Sequence, residues 1–170
     1  METHGMGWAL TQWQCMCRSI NVKELRPGDL HLVGDSIKHN FSKTKKDQKG
    51  TNLNPKHVFG NPLDPGMDYN LAMGLHLASF NELNEDTDYI FGGGSADSWY
   101  VKQVKDKLDK NPEVAQQFGG KKISTHSVRK GSATMASSTT TSSAPIASIM
   151  HRGDWTMGVL DRYFKFGDVQ

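Results

Sequence analysis

Cysteine is scarce in this chain, and its scarcity narrows the options quickly. Only Cys15 and Cys17 occur among 170 residues. One residue apart, they are too close for an unstrained disulfide. That excludes a disulfide-stapled secreted scaffold and makes a reducing compartment the default. A Cys-x-Cys pair without two further well-spaced ligands is also a poor zinc site. A zinc protein built on Cys15, Cys17 and His4 is therefore the weakest reading. Long hydrophobic runs are missing too: no stretch reaches membrane-spanning length and no signal peptide is visible, so a soluble intracellular protein is expected. Carboxylates do not cluster, which leaves a two-metal nuclease without ligands. Arginine is rare, with Arg18, Arg26, Arg129, Arg152 and Arg162 making up the whole set. The hydrophobic fraction of 36% is lowish, but a chain of this length still buries a real core as one domain.

Charge of one sign is not in large excess either, and a net +2 does not announce a nucleic-acid binder. Its distribution says more. Lys38, Lys43, Lys45, Lys46, Lys49 and Lys56 face a single acid, Asp47, across one short stretch. A second basic run covers Lys102, Lys105, Lys107, Lys110, Lys121, Lys122, Arg129 and Lys130. Solvated faces explain such runs about as well as a polyanion partner does.

The pattern along the chain predicts an α+β domain, mainly helical, with a small three-stranded antiparallel sheet near the N-terminus. Met6 to Cys17 reads as a buried helix, and its abrupt start suggests that something upstream is missing. Pro27-Gly28-Asp29 is a turn. Leu30, Leu32, Ile37 and Phe41 around Gly34-Asp35 predict a hairpin, and Lys56 to Phe59 a third strand. Asp68 to Leu83 reads as an apolar helix on Leu71, Leu75 and Ala78. Gly92-Gly93-Gly94 lacks the strand-then-helix context of a phosphate cradle. Ser98 to Lys110 places Val101, Val104 and Leu108 on one face and lysines on the other. Thr125 is suited to cap a helix carrying His126 and Arg129. The run Ser137 to Ser143 reads as a loop, after which Pro145 opens a short helix with Ile146, Ile149 and Met150 inside.

The chemistry concentrates in the last third. Thr125-His126-Ser127-Val128-Arg129-Lys130-Gly131 puts a histidine and an arginine on one face of a helix start. His151-Arg152-Gly153-Asp154-Trp155 follows, then Asp161-Arg162-Tyr163. Tyrosine, with an unperturbed pKa of about 10, becomes a nucleophile only beside cations or a base. Arginine suits a phosphodiester under attack, because its planar fork binds two oxygens and keeps its proton. Near a helix N-terminus, backbone amides also favour an anion at Arg129. A lysine on a hairpin tip is placed to protonate a leaving alkoxide. Taken singly, each residue has a plainer role: His126 as a hydrogen-bonding residue, Tyr163 and Trp155 as packing, Lys43 and Lys45 as solvated lysines.

Together these segments resemble the catalytic domain of the tyrosine recombinases, or phage-integrase family, and within it the Crypton-like recombinases of eukaryotic mobile elements. Cys15-Met16-Cys17-Arg18-Ser19 resembles the segment with the first catalytic arginine, implying Arg18. Ser42-Lys43-Thr44-Lys45-Lys46-Asp47-Gln48 resembles the hairpin of the catalytic lysine, implying Lys45, with Lys43 as the alternate. Thr125 to Gly131 resembles the His-x-x-Arg box, Ile149 to Trp155 the histidine-or-tryptophan box, and Tyr163, eight residues after Trp155, the nucleophile.

The resemblance implies roles for each. Tyr163 would form a 3′-phosphotyrosyl link, leaving a 5′-hydroxyl. Arg18 and Arg129 would clamp the phosphate, His126 would assist proton transfer, Lys45 would protonate the leaving oxygen and Trp155 would hydrogen-bond or buttress the pocket. Rejoining would need no metal and no cofactor. The implied partners are double-stranded DNA, with Lys43, Lys46, Lys49 and Lys130 as contacts, and further copies of the chain in a tetramer on DNA. A eukaryotic mobile element implies the nucleus, any other source the cytoplasm. The resemblance leads us to expect that the N-terminal DNA-clamp domain and the C-terminal exchange helix of such enzymes are missing here. The alternatives are a DNA-binding remnant that no longer cuts and a type IB topoisomerase.

Overall fold

The computed structural model describes residues 2–41, 54–80, 82–117, 119, 122–138 and 143–156. Helix α1 (Glu2–Cys15) runs through the centre, against elements from every later part of the chain. Trp8, Leu10 and Cys15 are buried along it, as are the polar Thr11 and Gln12. Thr11 satisfies its hydroxyl by donating to the Gly7 carbonyl one turn back at 2.7 Å. Gln12 donates to the Thr125 carbonyl at 2.7 Å, which ties α1 to the start of the His-x-x-Arg segment. Gly7 and Gly131 allow neighbours in close: a Cβ on either would stand 3.2 Å from Phe91 and Trp13 respectively. Past Cys15, Met16 takes a left-handed backbone and turns the chain into the short helix α2 (Ser19–Lys23).

The sheet follows as expected. Strands β1 (Leu30–Val33), β2 (Ser36–His39) and β3 (Lys56–Phe59) are antiparallel, with β2 in the middle. Val33 pairs with Ser36 across Gly34-Asp35, where Gly34 has φ +60°, suiting a two-residue hairpin turn. The predicted α+β architecture is observed.

Several boundaries differ from the sequence expectation. Helix α3 spans Tyr69–Leu77 and stops short of Leu83. Asp68 is its N-cap, accepting from Leu71 N–H at 2.9 Å. At the end of the helix Ser79 Oγ donates to the His76 carbonyl at 2.6 Å, a side-chain bond that competes with further helix. Its buried face is Tyr69, Ala72, Met73 and His76, while Leu71 and Leu75 are exposed. Helix α4 (Ala96–Lys110) half-buries Val101, Val104 and Leu108 and exposes Lys102, Lys105, Lys107 and Lys110, as its periodicity predicts. Helix α5 (Pro112–Gln117) was not foreseen. Helix α6 (Ser127–Ser138) includes two residues of the run expected to be a loop. Helix α7 (Ile146–Gly153) begins after Pro145 as expected, with Ile149 buried but Ile146 exposed. Among the described residues no helix is long and apolar enough to cross a membrane.

Two apolar clusters result. The larger joins α1 to α2, α3, α4 and the sheet through Trp8, Val22, Val58, Tyr69, Met73, Phe91 and Tyr100. The smaller holds Ala133, Ile149 and Trp155, with Met16 and Ala136 packed against them. It binds α6 to α7, and the candidate residues gather beside it.

Candidate functional site

Helix α6 starts in a turn built by serines. Ser124 N–H donates to Ser127 Oγ at 2.9 Å and His126 N–H to Ser124 Oγ at 3.3 Å. The side chain expected to cap the helix was that of Thr125; Ser124 and Ser127 shape the turn in its place. His126 stands exposed on it. Three residues on, Arg129 is buried, with 2% exposed. Its guanidinium donates to the Gly153 carbonyl and lies over the Trp155 ring, 4.9 Å from the centroid. Stacking and hydrogen bonding together fix the plane of the fork.

That contact requires an unusual end to α7. Trp155 N–H reaches back to the Met150 carbonyl at 2.9 Å and Asp154 N–H to the His151 carbonyl at 3.3 Å, the bond pattern of a Schellman turn. The left-handed position, normally glycine, is Asp154 with φ 53° and ψ 43°. The glycine is one residue earlier, where the ring needs the space. A Cβ on Gly153 would stand 2.7–2.8 Å from atoms of the Trp155 indole. Gly153→Ala is therefore expected to displace the ring and destabilise the fold by about 1–3 kcal/mol, the usual cost of overpacking; chemical denaturation measures it.

Arg152 braces the same end. Its Nε donates to the Gln14 carbonyl and an Nη to the His57 carbonyl, both at 2.9 Å, linking α7 to α1 and β3. Lys56 enters from β3 and is also 2% exposed. Its pKa lies below the usual lysine value because burial strips water from the ammonium, a loss only partly offset by Asp154 at 3.0 Å. Three cations thus surround the C-terminal end of α1. Burial pushes the Cys15 thiol up to about 12, against the lowering pull of Arg152 and Lys56. Cys17 is raised well above its usual value for the same first reason, and it feels Arg129 and Lys56. Both cysteines are free, buried thiols, and no group of three His, Cys, Asp or Glu side chains suited to a metal occurs among the described residues. His4 packs instead against the rings of His76, Phe91 and Trp99.

Arg18 follows Cys17 directly, half-buried at the N-cap of α2, where its backbone N–H donates to Asn21 Oδ1 at 3.2 Å. The structure therefore brings Arg129 and Trp155 into contact. Among the described residues no hydrogen bond joins the Arg18 or His126 side chain to that pair. Lys130 is exposed on α6. Lys43, Lys45, Lys46, Lys49 and Tyr163 lie outside the described residues.

The chain matches no family model, no curated protein and no solved structure.

Sequence reasoning missed Lys56, Asn54 and Asp154. Lys56 was counted with a basic run, yet it is buried and bonded. The available signal was strand periodicity: Lys56 and Val58 alternate onto one face of β3, and both are buried.

Proposed function

We propose that this chain is a DNA strand-transfer catalytic domain of the tyrosine-recombinase type. It would cut and rejoin a duplex through a 3′-phosphotyrosyl link to Tyr163. The observation that carries this reading is the Arg129–Trp155 contact. Two sequence boxes separated by a low-complexity run supply a cation and an indole to one place. A guanidinium held flat and shielded from water attracts phosphate oxygens more strongly than one in bulk solvent, because nothing reorganises as charge develops. Arg18 would join it from the adjoining end of α1. His126, exposed at the start of α6, would exchange a proton with Tyr163, and Lys45 would protonate the 5′-oxygen. Supporting positive charge comes from the exposed Lys130. Assembly into a tetramer on DNA belongs to the same proposal.

A second reading draws on a different observation. Arg129, Arg152 and Lys56 all donate to main-chain carbonyls. Cations engaged in holding the fold suit a domain that binds DNA through its exposed lysines without cutting it. One experiment separates the two. The protein is incubated with a pool of nicked duplexes of randomised sequence, and detergent-stable protein–DNA adducts are scored on a denaturing gel. The wild type is expected to form adduct and Tyr163→Phe none, with equal duplex retention. Adduct from Tyr163→Phe would exclude Tyr163 as the nucleophile. Salt-sensitive retention with no wild-type adduct would establish the non-cutting reading. Relaxation of supercoiled plasmid without strand exchange would point to topoisomerase activity.

A further inference from the structure

Lys56 has an environment that neither a solvated lysine nor a DNA-contacting one would have. Its Nζ donates to the His151 carbonyl at 3.1 Å, the Arg152 carbonyl at 2.6 Å and Asp154 Oδ1 at 3.0 Å. An ammonium has three donors and no acceptor, so these contacts use its whole capacity. Two of the acceptors are carbonyls from the last turn of α7: that of His151, which also takes Asp154 N–H in the Schellman turn, and that of Arg152, one of the groups a helix end leaves without an intrahelical partner. Asn54 repeats the grip from two residues away, with Nδ2 3.1 Å from the His151 carbonyl and 3.0 Å from Asp154 Oδ1.

Asp154 explains why such a grip is needed. A left-handed backbone costs a residue with a side chain about 1–2 kcal/mol, and glycine avoids that cost. Aspartate in this place gives the turn a carboxylate that glycine lacks, and both Lys56 and Asn54 bind it. The turn so held carries Gly153, whose carbonyl meets Arg129, and Trp155, whose ring lies beneath that guanidinium. Tyr163 follows Asp154 by nine residues, and the candidate lysine Lys45 precedes Asn54 by nine.

We propose that Lys56 is a positioning residue: with Asn54 it locks the Schellman turn of α7, setting Trp155 against Arg129 and fixing the point from which the chain leaves for Tyr163. What the positioning serves rests on the strand-transfer reading; the clamp itself rests on the contacts. Lys56 does not touch DNA or the reacting phosphate.

The test uses 5-fluorotryptophan protein, in which Trp8, Trp13, Trp99 and Trp155 each give a ¹⁹F resonance and Trp155→Phe identifies the fourth. In Lys56→Met the Trp155 resonance is expected to shift or broaden while the other three hold. Asn54→Ala keeps the ammonium in place, and it should move the same resonance by less. It decides the matter if Lys56→Met fails to fold. An unmoved Trp155 resonance in Asn54→Ala, and in Lys56→Met where that folds, overturns the clamp. On the nicked-duplex pool, Lys56→Met is expected to slow adduct formation about a hundredfold, the scale of a misplaced reacting group, with duplex retention unchanged. Retention that falls with the adduct makes Lys56 a DNA contact and overturns the proposal. If the wild type forms no adduct, the strand-transfer reading fails alone, and the Trp155 resonance still decides the clamp.

Discussion

Arg129→Ala is expected to destabilise the fold by about 3–5 kcal/mol, combining the cavity left by a large buried side chain with the loss of a charged hydrogen bond. The side chain sits between α6 and α7, bonded to the Gly153 carbonyl and stacked on Trp155. Removing it leaves that carbonyl without its charged donor and the indole without one wall. The loss should appear as a lower denaturant midpoint with an unchanged slope, because the unfolded surface is nearly the same. A loss under about 0.5 kcal/mol, the level of ordinary surface substitutions, would show that the contact is not a structural one.

Arg129→Lys separates structure from chemistry. Lysine keeps the charge but presents a point donor in place of a planar fork, so it neither stacks on the ring as well nor holds two phosphate oxygens. The strand-transfer reading expects a folded Arg129→Lys protein that retains duplex DNA and forms no adduct. The non-cutting reading expects DNA retention indistinguishable from the wild type, with no adduct in either protein. Arg129 thus has two roles to be distinguished, and the lysine variant keeps most of one while removing the other.

The legible and illegible parts of the chain divide along physical lines. Strands β1 to β3 and the Gly34-Asp35 turn were readable because alternation and turn chemistry are local. The onset of α7 was readable from Pro145 for the same reason. Helix α3 ends sooner than its composition predicts because apolar residues continue after Leu77 while the Ser79 hydroxyl takes the His76 carbonyl. Boxes around Arg129 and Trp155 were visible in order and spacing. Their contact was not, since it depends on aspartate occupying a glycine conformation and on a lysine from β3 holding it there. Charge counting along the chain placed Lys56 with its basic neighbours; only its strand parity marks it as inward-facing.

Acid should destabilise this domain already above the carboxylate range, and the cause is histidine. His39 is buried between Phe41 and Tyr69, and among the described residues neither ring nitrogen has a hydrogen-bond partner. Burial, with a smaller push from Arg152, lowers its pKa from 6.5 to about 3. His4 falls from 6.5 to about 4, again chiefly through burial and then through His76, which is itself lowered. Above pH 6.5 these rings are neutral in both states and pH has no leverage through them. As pH falls below 6.5, the unfolded chain takes up protons that the folded protein refuses, so stability drops by up to about 1.4 kcal/mol per pH unit for the buried His39 and by less for His4, which solvent partly screens. His39 acts down to about pH 3 and His4 down to about pH 4, and the lowered His76 works in the same direction. Asp29 opposes them, since burial raises its folded pKa and makes the folded state the stronger proton binder near the end of the range. With His39 acting over the whole window and His4 and His76 adding to it, the net loss amounts to a few kcal/mol, a sizeable part of the stability of an ordinary domain. Denaturant titrations at closely spaced pH values between 7.5 and 4 would measure it. His39→Leu removes one of these protons and two buried polar atoms. It should flatten the slope by about 1.4 kcal/mol per pH unit and leave stability at pH 7.5 equal or higher. An unchanged slope in that variant would show that His39 is protonated in the folded protein and that another group accounts for the acid lability.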